Sequence, residues 1–208
     1  GGLLTGSVGW QGIFMILLFI GILLGIGCIR FKESLPTEKR SKTGVFATFR
    51  SFGIIVHNRR YMLYVLQLAF AQGILFAYIA SSPFIIQQHY GFSPFAFSIC
   101  FAVNAVAIGV AAAISVKFRR TENGTLTGCI GMLVFAILQM AALYSGCGFW
   151  TYELLMFALL FMMGLTFTAS TTLAMDCERR YAGAASALLG ALCFASGGIV
   201  SPLVGLPE

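Results

Sequence analysis

The chain has 208 residues, of which 59% are hydrophobic and only 10% are charged. A water-soluble domain carries roughly 25% charged residues, so this chain cannot cover itself with a polar surface. Its mean hydropathy is +0.91 and its net charge is +6. On a soluble protein such a charge would favour nucleic-acid binding, but here every Lys and Arg lies between hydrophobic segments or at their ends. The composition therefore indicates a membrane protein with no nucleic-acid partner.

Six hydrophobic segments are long enough to cross a bilayer, which takes about 20 apolar residues. In chain order they are Trp10–Phe31, Tyr61–Gln88, Ser93–Lys117, Gly124–Tyr144, Trp150–Met175 and Ala182–Leu206. Lipid offers the backbone no hydrogen-bond partners, and these stretches are too long for barrel strands. We predict an all-α integral membrane protein. Residues 1–31 form its first helix, 32–60 a long loop and 61–208 five further helices.

Along the chain, connections that contain basic residues alternate with connections that contain none. All thirteen Lys and Arg residues lie in the connections around 30–60, 117–120 and 179–180. The connections around 89–91 and 146–148 contain none. The positive-inside rule then places the basic loops in the cytoplasm and both ends of the chain outside.

The long loop contains a possible amphipathic helix. Phe46, Phe49, Phe52 and Val56 recur at three- and four-residue spacing among basic residues. This pattern is typical of a helix that lies on the inner membrane surface. The alternative is a loosely ordered linker that carries some hydrophobic residues.

Small residues recur every four positions in three segments, which is typical of closely packed membrane helices. We expect close packing at these positions, which are Gly21 and Gly25 in the first segment and two longer ladders, formed by Ala105, Gly109 and Ala113 and by Gly183, Ala187, Ala191 and Ala195.

Four polar residues of the second segment share one helix face. At 100° per residue Tyr78 lies about 20° from Gln67, and Ser81 and Ser82 lie within about 60° of it. Such a stripe either lines a watery cavity or bonds to a neighbouring helix, and polar residues inside membrane helices are functional candidates. Asn104 and Gln139 are single amides in the third and fourth segments, with the same two interpretations.

Enzyme and metal chemistry find little support in the sequence. The six cysteines and two histidines are scattered without ligand spacing, and no nucleophile–base pair is recognisable. No carboxylate lies near the middle of a segment, and Glu153 lies near an outer helix end. The chain therefore offers no obvious proton-carrying group.

Four passages resemble a known family, the major facilitator superfamily, and within it the twelve-helix drug/proton antiporters of the Bcr/CflA type. The passages are GG at 1–2 with WQGIF at 10–14, KESLP at 32–36, FAYIASSPF at 76–84 and AGAASALLG at 182–190. They resemble, in order, the end of the antiporter glycine motif with the start of helix six, the "ETLP" of the central loop, the "Y…SPF" of helix seven and the "AGTASALLG" of helix eleven. Ser34 and Ala184 stand where the family usually has Thr.

The resemblance implies that the chain covers helices six to eleven of twelve, with helices one to five and twelve missing. It implies proton-driven export of amphipathic drugs across a bacterial inner membrane, with no cofactor beyond the proton gradient. The proton-coupling carboxylates of that family lie in the missing half. Gln67, Tyr78, Ser81 and Ser82 would then face the central cavity, and Asn104 and Gln139 would be further candidates.

A second hypothesis stays open beside the transporter: a truncated membrane scaffold that packs against a partner through its small-residue ladders. A membrane enzyme is a distant third, because no His, Asp or Cys cluster is present. We expect the chain, which lacks an initiator Met, to be a fragment or a processed product.

The predicted topology is testable with reporter fusions. We expect alkaline phosphatase to be active when it is fused after Gly91 or Gly146, because these loops face outwards. Green fluorescent protein should fluoresce after Arg120 or Arg180, because it folds only in the cytoplasm. The opposite pattern at either pair would contradict the topology.

Overall fold

The computed structural model describes residues 2–31, 45–118 and 120–204. The protein divides into two units, residues 1–44 and 45–208. Within the described residues, six helices are long and apolar enough to cross a membrane, as the sequence predicts.

The first unit consists of α1, Gly2–Arg30. Its backbone is non-helical at Gly9, where φ is 69°, a value that suits glycine because it has no side chain. The predicted span at Trp10 therefore begins just after a break in the helix. The second unit consists of α2 (Val45–Val56), α3 (Arg59–Pro83), α4 (Pro94–Ser115), α5 (Thr121–Tyr144), α6 (Phe149–Cys177) and α7 (Ala182–Val204).

The long loop contains the helix α2, and the end of this helix packs against the bundle. Ile55 of α2 is fully buried against Tyr61 and Val65 of α3. Asn58 caps α3 by accepting the backbone N–H of Tyr61, and its Nδ2 donates to Glu178 Oε1 at 2.6 Å. The position of α2 on the membrane surface stays a prediction.

Helix α3 continues past its proline as a π-helical turn, Phe84–His89. Pro83 has no N–H to donate, so the regular bonding pattern of the helix is interrupted there. After this turn the Tyr90 hydroxyl donates to the carbonyl of Cys147 at 2.9 Å, joining two connections at the same end of the unit. Burial raises the pKa of Tyr90 to about 12.

Helix α6 is the most buried helix of the second unit, because it packs against α3, α4 and α5, whereas α7 packs mainly against α3. Two glycines permit this close approach. A Cβ at Gly164 would lie 2.5 Å from the backbone oxygen of Ile108, and one at Gly128 would lie 2.6 Å from Cβ of Thr166. No side chain fits at either position without moving a neighbouring backbone.

The small-residue ladders do not mediate this packing, so the expectation from spacing is wrong within this unit. Ala105, Gly109 and Ala113 of α4 are exposed, as are Gly183 and the three ladder alanines of α7. Four-residue spacing identifies a face with small side chains, but a neighbour within the same chain is not guaranteed by it.

Gly164→Ala should destabilise the protein by about 1–3 kcal/mol, as overpacking of a filled core does, because the new methyl group would meet the α4 backbone. Gly109→Ala is the matched control, since nothing lies within 4 Å of that position. We expect a lower melting temperature of the detergent-solubilised protein for the first variant and not for the second. Equal melting temperatures would contradict the described approach of α4 and α6.

Candidate functional site

Polar side chains of the second unit form two groups, both of which include α6. The hydroxyl cluster lies at the level of the C-terminal half of α6. It consists of Gln67 of α3, Thr125 and Cys129 of α5, and Thr166 and Ser170 of α6. The Glu153 cluster, near the N-terminal end of α6, consists of Tyr78, Asn104, Tyr152 and Glu153.

The hydroxyl cluster joins α3, α5 and α6 through Thr166. Gln67 Nε2 donates to Thr166 Oγ1 at 3.0 Å, and this hydroxyl donates to the backbone oxygen of Thr125 at 3.3 Å. Ser170 donates to Thr125 Oγ1 at 3.2 Å. Thr166 and Ser170 are fully buried, so these bonds satisfy groups that would otherwise be costly to bury. Gln67 thus bonds to a neighbouring helix and does not line a watery cavity with this amide nitrogen.

The Glu153 cluster joins α3, α4 and α6 through Asn104. Asn104 Nδ2 donates to Tyr78 Oη at 3.0 Å and to Glu153 Oε1 at 2.9 Å. Tyr78 is 3% exposed, Asn104 1%, and Glu153 is half-buried. Tyr78 also stacks on the ring of Phe101, with ring centroids 5.8 Å apart. One amide therefore links a phenol and a carboxylate from two other helices.

The remaining two members of the predicted stripe have different environments. Ser81 donates to the backbone oxygen of Ala77 in its own helix at 2.8 Å, as hydroxyls in helices commonly do. Ser82 follows Tyr78 by one helical turn and is fully buried. Its hydroxyl has no hydrogen-bond partner among the described residues.

Gln139 lies at the level of the Glu153 cluster. Gly131 of α5 packs against Met162 of the antiparallel α6. Gln139 is two turns beyond Gly131, so it is level with about residue 154 of α6. It is 7% exposed, and neither end of its amide has a partner among the described residues.

Buried polar atoms without partners are concentrated at this level. Such atoms are rare in folded proteins, because each costs about 1–3 kcal/mol. The atoms concerned, in addition to both ends of the Gln139 amide, are Asn104 Oδ1, Tyr152 Oη and Glu153 Oε2. Polar groups in this arrangement can bind water, a proton or a polar group of a solute.

Sequence reasoning missed Glu153, Tyr152 and Thr166 as site residues. It placed Glu153 near a helix end, and the structure agrees that it is the fifth residue of α6. Its side chain nevertheless reaches Asn104 in the interior. A signal was present, because Glu153 is the carboxylate located furthest inside any of the six predicted segments.

The second unit has two largely apolar clefts, and one of them includes Glu153. A cleft of about 290 Å³ between α4 and α6 is lined by Ile99, Val103, Phe149 and Trp150, and Glu153 is the charged residue among its described lining. A cleft of about 420 Å³ between α3 and α7 is lined mainly by apolar side chains. Within the described ranges, no group of His, Cys, Asp and Glu is arranged to hold a metal ion.

Comparison with known proteins identifies the family. The family model of the Major Facilitator Superfamily matches residues 1–202. The chain belongs to the Major Facilitator Superfamily. This is a family of transporters, so membership points to a transporter and not to an enzyme.

Two curated relatives are similar to this transporter chain. An uncharacterised MFS-type transporter of Bacillus subtilis, YdgK, is 36% identical over 204 residues, which are 96% of this chain and 50% of that protein. The multidrug transporter MdfA of Edwardsiella ictaluri is 29% identical over 86 residues, 41% of this chain and 21% of its own length. The chain thus spans half or less of the curated relatives it matches.

The hydroxyl cluster gives a stability prediction for this transporter. Thr166→Val keeps the shape of the side chain but leaves Gln67 Nε2 without its acceptor, which should cost about 1–3 kcal/mol. Thr172→Val is the control, because that hydroxyl is exposed and bonds only to the backbone oxygen of Thr168 in its own helix. We expect a lower melting temperature for the first variant alone. Equal melting temperatures would show that the Gln67–Thr166 bond adds no stability.

Proposed function

We propose that the chain is the portion from helix six to helix eleven of a twelve-helix drug/proton antiporter of the Bcr/CflA type. It exports amphipathic drugs by alternating access, with its basic loops in the cytoplasm of a bacterial cell. The observation that carries the proposal is the buried Tyr78–Asn104 contact at the level where unpartnered polar atoms are concentrated. Interhelical hydrogen bonds alone can hold membrane helices together, so the support for a solute site comes from the buried polar atoms that have no partner at this level.

Drug-like substrates are supported by the clefts and by one relative. Both clefts expose almost exclusively apolar side chains with few directional polar groups, which suits chemically varied amphipathic molecules better than one small polar metabolite. The relative from Edwardsiella ictaluri is named a multidrug transporter. The proposed substrate site contains Tyr78 and Asn104, with Ser82 and Gln139 as neighbouring groups. Gln67 and Ser81 form hydrogen bonds elsewhere, so they support the fold around the site.

One observation favours the scaffold alternative. The ladders of α4 and α7 are exposed, and such faces bind other helices. The same faces would also contact the remaining helices of a complete transporter. Transport by the complete protein therefore separates the two functions.

Tyr78→Phe tests the site while keeping the ring that stacks on Phe101. In the complete transporter, loss of this hydroxyl should lower drug efflux about fivefold, since a typical hydrogen bond contributes ~1 kcal/mol. The measurement is efflux of a fluorescent drug, normalised to membrane abundance. Tyr144→Phe is the control, because Tyr144 is 93% exposed. Unchanged efflux in the Tyr78 variant would remove this residue from the site, and absence of efflux by the wild type would favour the scaffold.

A further inference from the structure

Two pairs of arginines lie close together where α3 and α7 begin. One pair is at 59–60, directly after Asn58, and the other is at 179–180, directly after Glu178. Asn58 Nδ2 donates to Glu178 Oε1 at 2.6 Å, so the two connections that carry the pairs are in contact. All four arginines are exposed. We call these four residues the arginine cluster.

Carboxylates of the chain balance only part of this positive charge. Among the described residues the ion pair of the cluster joins Arg179 to Asp176, at 3.0 Å. The other nearby carboxylate, Glu178, accepts its hydrogen bond from the neutral amide of Asn58 and not from an arginine. The described part of the chain therefore leaves three arginines without a carboxylate partner, and the cluster can bind an anion from outside.

The length of α3 places this cluster at the level of lipid headgroups. With its π-helical turn, the helix extends from Arg59 to His89, which is 31 residues. At 1.5 Å per residue this is about 46 Å, close to the thickness of a bilayer with its headgroups, about 40–45 Å. The first residue of such an element lies among the phosphates of one leaflet, and a guanidinium binds phosphate oxygens through two parallel hydrogen bonds.

An exposed apolar strip extends from Arg59 along the same face of α3. Arg59 lies about five full turns before Ala77, and Leu63, Leu66 and Phe70 lie within about 40° of the line between them. These three side chains are 67%, 46% and 75% exposed. The strip ends at the cleft of about 420 Å³ between α3 and α7, which Phe70 and Ala77 line.

Helix α7 forms the other side of this cleft along its whole course. Tyr61 donates to the backbone oxygen of Ala185, and Ser196 donates to that of Ala69, each at 2.6 Å, so the two helices run side by side in the same direction. Ser196 is the polar side chain of the described cleft lining, and its hydroxyl is already bonded. The cleft therefore suits a hydrocarbon chain, which has no polar group to satisfy.

The distance from the arginine cluster to the cleft agrees with the length of an acyl chain. The cleft begins at Ala69, ten residues after Arg59 and thus about 15 Å further into the membrane. One leaflet contributes half of the hydrocarbon core, which is also about 15 Å. A lipid with its phosphate at the cluster would place the end of one chain in the cleft.

We propose that α3 and α7 together bind one anionic phospholipid. The arginine cluster binds its phosphate, and one acyl chain lies along Leu63, Leu66 and Phe70 and ends in the cleft. A zwitterionic lipid carries a cation beside its phosphate and gains less from the cluster. The inference goes beyond the proposed function, because this lipid is a resident ligand and not a transported solute, and the cleft at Glu153 remains for the drug.

The first test is lipid binding to the purified complete transporter, measured by native mass spectrometry. Wild type should bind phosphatidylglycerol at least about tenfold more tightly than phosphatidylcholine. The double variant Arg59→Gln, Arg180→Gln should bind phosphatidylglycerol about 30-fold more weakly, because each arginine at an anionic surface adds about fivefold. Arg120→Gln is the matched control: Arg120 is exposed before α5, and its loss should change the affinity less than twofold.

Three results of this titration would overturn the proposal. They are equal affinity of the wild type for the two lipids, unchanged phosphatidylglycerol binding in the double variant, and an equal loss in Arg120→Gln, which would show an unspecific effect of charge. Glycerol 3-phosphate, the soluble part of the headgroup, should not displace the lipid. Displacement at similar concentration would show a site for a free phosphate ester instead.

A labelling experiment on the wild-type protein does not depend on a folded variant. Phosphatidylglycerol with a photoreactive group at the end of one acyl chain should label α3 within residues 63–77, and peptide mass spectrometry locates the product. Even labelling of all helices, or an unlabelled α3 because another helix of the complete transporter covers this face, would contradict the proposal. None of these measurements uses transport, so their failure would leave the proposed function standing.

Discussion

The close approach of α6 to α4 and α5 brings together the polar groups of the hydroxyl cluster and of the Glu153 cluster. Gly164 and Gly128 remove the side chains that would keep these backbones apart. At this distance short hydroxyls such as Thr166 and Ser170 reach partners on α3 and α5, and the amide of Asn104 reaches Glu153. With larger residues at the two glycines, the same polar side chains would be separated, and each would be buried without a partner.

The fold was largely predictable because its main constraint is the membrane itself. A segment that crosses lipid must be long, apolar and helical, and these properties are local. The six spans therefore lie close to their predicted bounds, although α5 begins three residues earlier, at Thr121. The helix in the long loop was also visible, since amphipathic spacing is a local signal. The extension of α3 by a π-helical turn was not, because it depends on how the chain continues after Pro83.

The candidate site was predictable only in part, because contacts between helices depend on their rotation and neighbours. Angular spacing placed Gln67 and Tyr78 on one face, but their partners Thr166 and Asn104 lie on two different helices. The sequence position of Glu153 shows its distance from the helix end but not the depth that its side chain reaches. A glutamate side chain is long enough to reach inwards from the second turn. That the carboxylate does so is shown only by its hydrogen bond with Asn104. The exposed ladders show the same limit, since spacing describes a face and not its neighbour.

The hydrogen bond between Gln67 and Thr166 has a consequence for the order of synthesis. The two residues are 99 positions apart, so the ribosome completes α3 well before α6 exists. Helix α3 is also the least hydrophobic span of its unit, and it must enter the bilayer while its glutamine has no acceptor there. Arg59 and Arg60, which flank its start, are suited to hold it in the bilayer during this interval. The arrival of α6 then supplies the missing partner of Gln67 within the second unit.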